Sequence, residues 1–413
     1  MNTAENVDFL IGNVAELGND LLGRLARMRE EDPVYWSERN GAWVVTGYDA
    51  VEEGLKGRIP LSAVRLPGLI VRQIPEEERE ARIPYLMHSV RRWVLNTDPP
   101  DHARLRKLIM PAFNRQIAEA QRPFARSVIT EILDRLGPDE VEIDLVSAVA
   151  REIPQRMILR LLGLPEDYRP RMSRWVVMTT QTFGNAHVTP EVLEGCEAVM
   201  LEMRDCLMDE IAQRRIKPRD DFISALVAAQ ADGDRLDDEE LLAMCYVTLL
   251  GGFNTTANTI ALGTAALALH PDAADFIRQG GATDGVLMEL MRFIAMSTTV
   301  PRIAKEDFEW RGHEVKQGQY VFLMLAGANR DPTVFDKPDT LDVERSEQRN
   351  MVFAPGLHFC VGHYFAKVQL AEFFSELLQR YHVTLLDDRL DFGPALAFRG
   401  VESLNVRLTP RAR

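Results

Sequence analysis

Cysteine is scarce in this chain of 413 residues. Cys196, Cys206, Cys245 and Cys360 are the only four, and no two form a Cys-x-x-Cys pair. That usage excludes a disulfide scaffold and suits a reducing compartment. No apolar run approaches the roughly 18 residues of a membrane span, and Met1-Asn2-Thr3-Ala4-Glu5 is too polar and acidic for a secretion signal. Positive charge is also short. Lys and Arg total 48 against 62 Asp and Glu, a net charge of -14, which argues against non-specific nucleic-acid binding. Gly/Ser linkers, low-complexity tracts and convincing repeats are missing too. The remaining composition, 46% hydrophobic and 27% charged, is that of an ordinary globular protein. The expectation is one large, mostly helical domain over residues 1–413, without a membrane anchor or a nucleic-acid partner, monomeric and in the cytoplasm.

One stretch organises the chain: Phe353-Ala354-Pro355-Gly356-Leu357-His358-Phe359-Cys360-Val361-Gly362. Pro and Gly on the approach argue for a tight turn, and the second Gly lets a backbone or a flat ligand come close to the sulfur. A helical run follows at 363–378. Cys360 thus lies just before a helix N-terminus, where the dipole and free amides favour a thiolate. Such a thiolate is a metal ligand or a nucleophile. The plain alternative is a buried, apolar Cys. A nucleophile would need a base, for which His358 stands two residues upstream.

The whole pattern, Phe-x-x-Gly-x-His-x-Cys-x-Gly, resembles the haem-binding loop of the cytochrome P450 family, the haem-thiolate monooxygenases. The resemblance implies a mainly α fold with small β-sheets (α+β). Haem b, iron protoporphyrin IX, would be buried between a long central helix and the Cys loop. Cys360 would be the axial metal ligand, pushing electron density onto the iron to favour O–O cleavage.

Other stretches fall into the family's order. A helix over 15–31, with Leu17, Leu21, Leu22, Leu25 and Met28 on one side, ends at Pro33. Two strands, 34–36 and 42–46, flank the hairpin signal Arg39-Asn40-Gly41, and a helix covers 49–55. Residues 57–95 lack a clean period and carry Pro60, Pro67, Pro75 and Pro84. They read as a long irregular connection, which the resemblance makes the cover of the substrate. Asp98 or Thr97 is placed to cap a helix after Pro99-Pro100, and His102 and Arg106 share a face of that helix. Two cationic donors on one face suit a carboxylate pair; a solvated basic face is the alternative. The family pattern Asp-Pro-Pro-x-His-x-x-x-Arg makes them ligands of the haem propionates. One helix is expected over 116–136, a strand over 141–145 and a helix over 146–162. Helices over 168–185 and from Pro190 to about residue 215 resemble the mobile roof of the pocket.

Asp237-Asp238-Glu239-Glu240 is a strong helix start, and apolar residues then run to His270-Pro271, long enough for a buried central helix. Its middle, Gly251-Gly252-Phe253-Asn254-Thr255-Thr256, breaks helix rules. Each Gly costs about 1 kcal/mol relative to Ala, and Thr255 can turn its hydroxyl inward and bend the helix. A local conflict of this kind points to function, although a kink that merely suits packing is the alternative. The stretch resembles the family's oxygen-activation motif, with Gly251, Asn254 and Thr255 at the catalytic positions. Asn254 stands where the family usually has an acid, so the resemblance implies protons arriving through water ordered by Asn254 and Thr255.

Glu289 and Arg292 lie three apart on an apolar helix and resemble the family's Glu-x-x-Arg pair, a structural lock without chemistry. Arg302 resembles a second propionate clamp, joined by His358, with Thr299, Val300 and residues 397–401 as pocket walls. Strand, turn and strand are expected over 308–315 and 320–323. No electron-transfer domain is attached, so ferredoxin and ferredoxin reductase, or a flavodoxin-type donor, are the implied partners. Arg104, Lys107, Arg115 and Lys367 are candidates for a docking patch. The substrate is implied to be an apolar small molecule: terpenoid, steroid, fatty-acyl and polyketide compounds all remain open. Peroxide-driven oxidation or rearrangement, a haem-thiolate sensor and a Cys–His hydrolase are the competing functions. The oxygen motif argues against the sensor, and the lack of an orienting acid against the hydrolase.

Overall fold

The computed structural model describes residues 8–9, 20–65, 74–184, 188–231, 233–345, 349–393 and 397–412. Its centre is a single unbroken helix, Asp238–Leu269, of 32 residues. The start is a full capping box: Glu240 N donates to Asp237 Oδ1 at 2.8 Å, and Asp237 N donates to Glu240 Oε2 at 3.0 Å. Residues 241–246 and 259–267 are buried throughout. Although it is long and apolar, no helix among the described residues could cross a membrane.

The central helix packs on His363–Arg380, the helix that follows the Cys loop, and the two meet closely at Gly263. A Cβ there would lie 2.5 Å from Phe374 Cζ, so even Ala would force the helices apart. Glu152–Leu162, the roof pair Arg169–Gly184 and Pro190–Ile216, and Asp284–Ile294 complete one large apolar cluster around it. A smaller cluster forms on a five-stranded sheet, in the order Val34–Ser37, Ala42–Val45, Tyr320–Leu323, Val300–Ala304, Leu61–Ser62. Ala42–Val45 and Tyr320–Leu323 pair in parallel, and the other neighbours are antiparallel. Tyr381–Leu385, Asn405–Pro410 and Val141–Asp144 form a three-stranded sheet. The fold is therefore mainly helical with small sheets, as the sequence implies.

The hairpin at 34–45, the turn between Phe308–Trp310 and His313–Val315, and the roof helices also lie close to their expected places. Four expectations need correction or restriction. The first helix is described from Leu21 to Glu31, with Leu21, Leu25 and Met28 buried; Leu17 lies outside the described residues. The 116–136 segment is two helices, Arg115–Ala120 and Arg122–Asp134, separated at Gln121. Pro123 near the second start has no N–H to continue the first. Asp98 and Thr97 do not cap Asp101–Ile109. Asp98 instead accepts from Ser62 Oγ at 2.7 Å and Ala63 N at 2.9 Å, and Thr97 Oγ1 donates to Val94 O.

The fourth concerns residues 57–95, which contain the helices Glu76–Arg82 and Pro84–Val90 and a short turn, Val94–Asn96. Helices of seven residues span too few turns to register a period. The second is held from elsewhere in the chain. Tyr85 N and Leu86 N donate to the two carboxylate oxygens of Glu197, at 2.9 and 2.6 Å. Residues 66–73, and residues 185–187 between the two roof helices, lie outside the described residues.

Candidate active site

The Cys loop is shaped by its backbone. Ala354 and Gly356 take positive φ, 50° and 138°. A Cβ on Gly356 would fall 2.2 Å from the carbonyl oxygen of Leu55, so only glycine allows this approach. Phe359 N donates to Gly356 O and Cys360 N to Phe353 O, each at 3.1 Å. Gly362 then caps His363–Arg380, and a Cβ at Gly362 would meet no atom within 4 Å. Cys360 is half-buried beside that open space.

The expected thiolate does not follow from the helix terminus alone. Burial pushes the Cys360 thiol above its ordinary value; the Gly362 N–H and the Arg106 guanidinium pull the other way and are outweighed. A bound metal cation supplies the charge that deprotonates a thiol outright. Among the described residues no cluster of three or more His, Cys, Asp or Glu could hold a metal ion.

Beside the loop the fold gathers cations. Arg106 Nη2 donates to Phe359 O at 2.8 Å, tying its helix to the Cys loop. The His102 and His358 rings lie 4.0 Å apart between centroids. Burial pushes His358 down to about 2, aided by Arg302, His102, Arg65 and Arg106. His102 is lowered by burial and by Arg106 and Arg302, with Asp98 opposing. Burial takes Arg302 down to about 10, against the pull of Asp98. Arg65 falls to about 9 through burial and through Arg302.

The four expected residues are thus brought together, and Arg65 is a fifth that the sequence reading missed. It is a lone Arg in a proline-broken stretch, and nothing in its local pattern marks it. Asp98, the one carboxylate acting on Arg302 and His102, is itself paired with Lys305 at 3.2 Å. His102 Nε2 and Arg65 Nε are buried with no hydrogen-bond partner. Crowded cations with orphaned donors suit a dianion, and the two propionates of haem fit that requirement.

The central helix presents its other chemistry on one accessible stripe. Val247, Gly251, Asn254, Thr255 and Asn258 share a helix face, and Gly251 is exposed midway between the two buried stretches of the helix. A Cβ on Gly251 would meet nothing within 4 Å, so this face borders open space, the chamber. The helix does not break here: Thr255 Oγ1 donates back to Gly251 O at 2.6 Å. Asn254 Nδ2 donates across to Thr180 Oγ1 on the roof helix, a link the sequence reading did not foresee. Asn258 lies against Gly400, in the turn fixed by Thr298 N to Ala397 O and Arg399 N to Met296 O. Thr299 is buried, its hydroxyl donating to Leu323 O at 3.1 Å.

Glu289 and Arg292 form a buried two-point pair, with bonds of 2.7 and 2.8 Å. The expected docking patch is reduced. Arg104 pairs with Asp234 and Glu240, and Lys367 with Asp284, so these two add no free positive charge.

The protein-family model described as "Cytochrome P450" matches residues 167–280 and 282–393. The polyketide biosynthesis cytochrome P450 PksS of Bacillus subtilis is 31% identical, over 93% of this chain and 95% of that protein. The 6-deoxyerythronolide B hydroxylase of Saccharopolyspora erythraea is 33% identical, over 93% and 95%. In three dimensions, P450BioI, crystallised with an acyl carrier protein bearing hexadec-9Z-enoic acid, superposes with a TM-score of 0.86 at 27% identity, covering 95% of this chain and 99% of that one. The chain belongs to the cytochrome P450 family, of the bacterial type: it is a cytochrome P450 monooxygenase, and its cofactor is haem b.

Proposed function

We propose that residues 1–413 act as one domain that inserts an oxygen atom of dioxygen into an apolar small molecule, with Cys360 as the residue whose sulfur would hold the haem iron. The observation that carries this is the set of five cationic or imidazole side chains beside the Cys loop, one of them bonded directly to it. His102, Arg106, Arg302, His358 and Arg65 would hold the propionates. Bound haem supplies the dioxygen chemistry. The chain's part is to orient and to manage protons. Thr255 keeps its hydroxyl proton on Gly251 O, leaving its oxygen lone pairs to accept from water in the chamber. Asn254 can orient that water through its carbonyl oxygen and its second N–H, since one amide hydrogen goes to Thr180.

Asn254, Thr180 and Asn258 place polar groups around the chamber, which suits an apolar frame carrying oxygen functions. The relative named for polyketide biosynthesis supports a polyketide-type substrate. Electrons come from a separate ferredoxin with its reductase, or a flavodoxin-type donor, in the cytoplasm, to a monomer. The decisive measurement is the spectrum of the reduced protein under carbon monoxide. A red-shifted Soret band is expected, and its absence from folded, pigmented protein would overturn the axial assignment.

Arg302→Met keeps the buried volume but removes the fork. It is expected to release haem to apomyoglobin about 10- to 100-fold faster, the worth of one charge-assisted bond pair; an unchanged rate would remove Arg302 from the propionate site. A second reading is peroxide-driven oxidation or rearrangement. It is favoured by the neutral Asn254 at a position without an ionisable acid, with one of its N–H groups given to Thr180. Turnover with peroxide that exceeds turnover with reductant and dioxygen would establish it.

A further inference from the structure

Threonines on the two helices that face the chamber mostly turn inward on their own backbone. On the central helix, Thr248, Thr255 and Thr259 donate to the carbonyls of Met244, Gly251 and Thr255, at 2.8, 2.6 and 2.7 Å. On the roof helix, Thr179 donates to Trp175 O at 2.7 Å and Thr182 to Met178 O at 3.0 Å. Thr180 and Asn254 depart from this habit. Thr180 is exposed, and its oxygen accepts from Asn254 Nδ2 on the other helix. The bond joins the roof to the central helix one residue before Thr255.

Chemistry favours amide and hydroxyl in this role. Both are neutral over the working pH range, so the link needs no counter-ion and does not weaken through titration. A carboxylate in place of Asn254 would bring a charge to a half-buried position and would need a donor from Thr180 instead. A neutral hydrogen bond has a small net worth, about 0.5–1.5 kcal/mol. That is enough to bias a roof without locking it.

We infer that Asn254 and Thr180 form a neutral latch that holds the roof helix over the chamber and breaks when the roof lifts to admit or release a bulky ligand. Both are positioning residues. The inference rests on the chamber being the substrate site of the haem protein.

The experiment compares wild type, Thr180→Val, Thr180→Ser, Asn254→Ala and the double variant Thr180→Val with Asn254→Ala. Stopped-flow release of clotrimazole, a bulky azole, and of imidazole is followed by the haem band. Thr180→Val is expected to speed clotrimazole release about three- to tenfold, the range of one neutral hydrogen bond. Imidazole release should be unchanged, Thr180→Ser should behave as wild type, and the double variant should be no faster than either single one. Equal acceleration of both ligands, no acceleration by Thr180→Val, or additive single effects would each overturn the latch. Amide hydrogen exchange over residues 169–184 reads the same bond without pigment: faster exchange in Thr180→Val but not Thr180→Ser supports it, and equal exchange refutes it. Lack of any azole difference spectrum in wild type would instead count against the haem-thiolate reading.

Discussion

Cys360→Ser is expected to give a folded protein whose turnover has fallen to the assay background and whose reduced carbon monoxide complex has lost the red-shifted Soret band. The structure separates these two effects. The loop is held by backbone bonds from Cys360 N to Phe353 O and from Phe359 N to Gly356 O, and by Arg106 on Phe359 O. None of these involves the sulfur. The side chain is half-buried, next to the open space over Gly362. Ser has nearly the same shape, so stability should change by less than about 1 kcal/mol. What would be lost is the soft sulfur that would hold the haem iron and supply electron density to it. A normal red-shifted band in the Ser variant would overturn the assignment of Cys360 as the residue that would hold the iron.

The largest loss of stability is expected at Arg292. Its guanidinium gives two bonds to Glu289 and one each to Asn329 O, Pro338 O and Thr340 O, at 2.7–3.0 Å. Glu289 in turn accepts from Asp342 N at 2.9 Å and faces Arg345 at 3.2 Å. The pair therefore fastens the stretch that leads into the Cys loop. Arg292→Ala strands three carbonyls in a dry site and leaves Glu289 with only Asp342 N and Arg345, a loss of about 3–5 kcal/mol against a typical total of about 5–15. Arg292→Lys should fail nearly as badly, since an ammonium cannot reproduce the fork. Urea unfolding of Arg292→Lys and Glu289→Gln, beside wild type, measures this. Folded Arg292→Lys within about 1 kcal/mol of wild type would reduce the pair to an ordinary surface-type bridge.

What could be read in advance was what chemistry compresses into short spans. The Cys loop, the His102 and Arg106 face, the Gly-rich middle of the central helix and the Glu289–Arg292 pair each fit within about one to three helical turns or one tight loop. Sequence spacing is then nearly spatial spacing. Capping of Asp237 was legible for the same reason. Pairings that the fold alone creates were not. Glu197 holds the start of Pro84–Val90 from 111 and 112 residues away, and Thr180 meets Asn254 across 74. Arg65 joined the cation cluster from a segment without periodicity. The balance of effects on the Cys360 thiol was hidden for a different reason. A helix terminus can be seen in a sequence, whereas the burial that outweighs it depends on neighbours from several elements.

The gathering of Arg65, His102, Arg106, Arg302 and His358 bears on how the molecule is made. Before pigment arrives, folding must hold three guanidinium groups together against their repulsion, and bury the two neutral imidazoles with them, so the newly synthesised chain starts from a disadvantage. Whatever binds only the finished fold stabilises it by mass action. Haem supply should therefore set how many molecules survive in the cell: chains that miss their cargo open more often, and opened chains are what proteases remove.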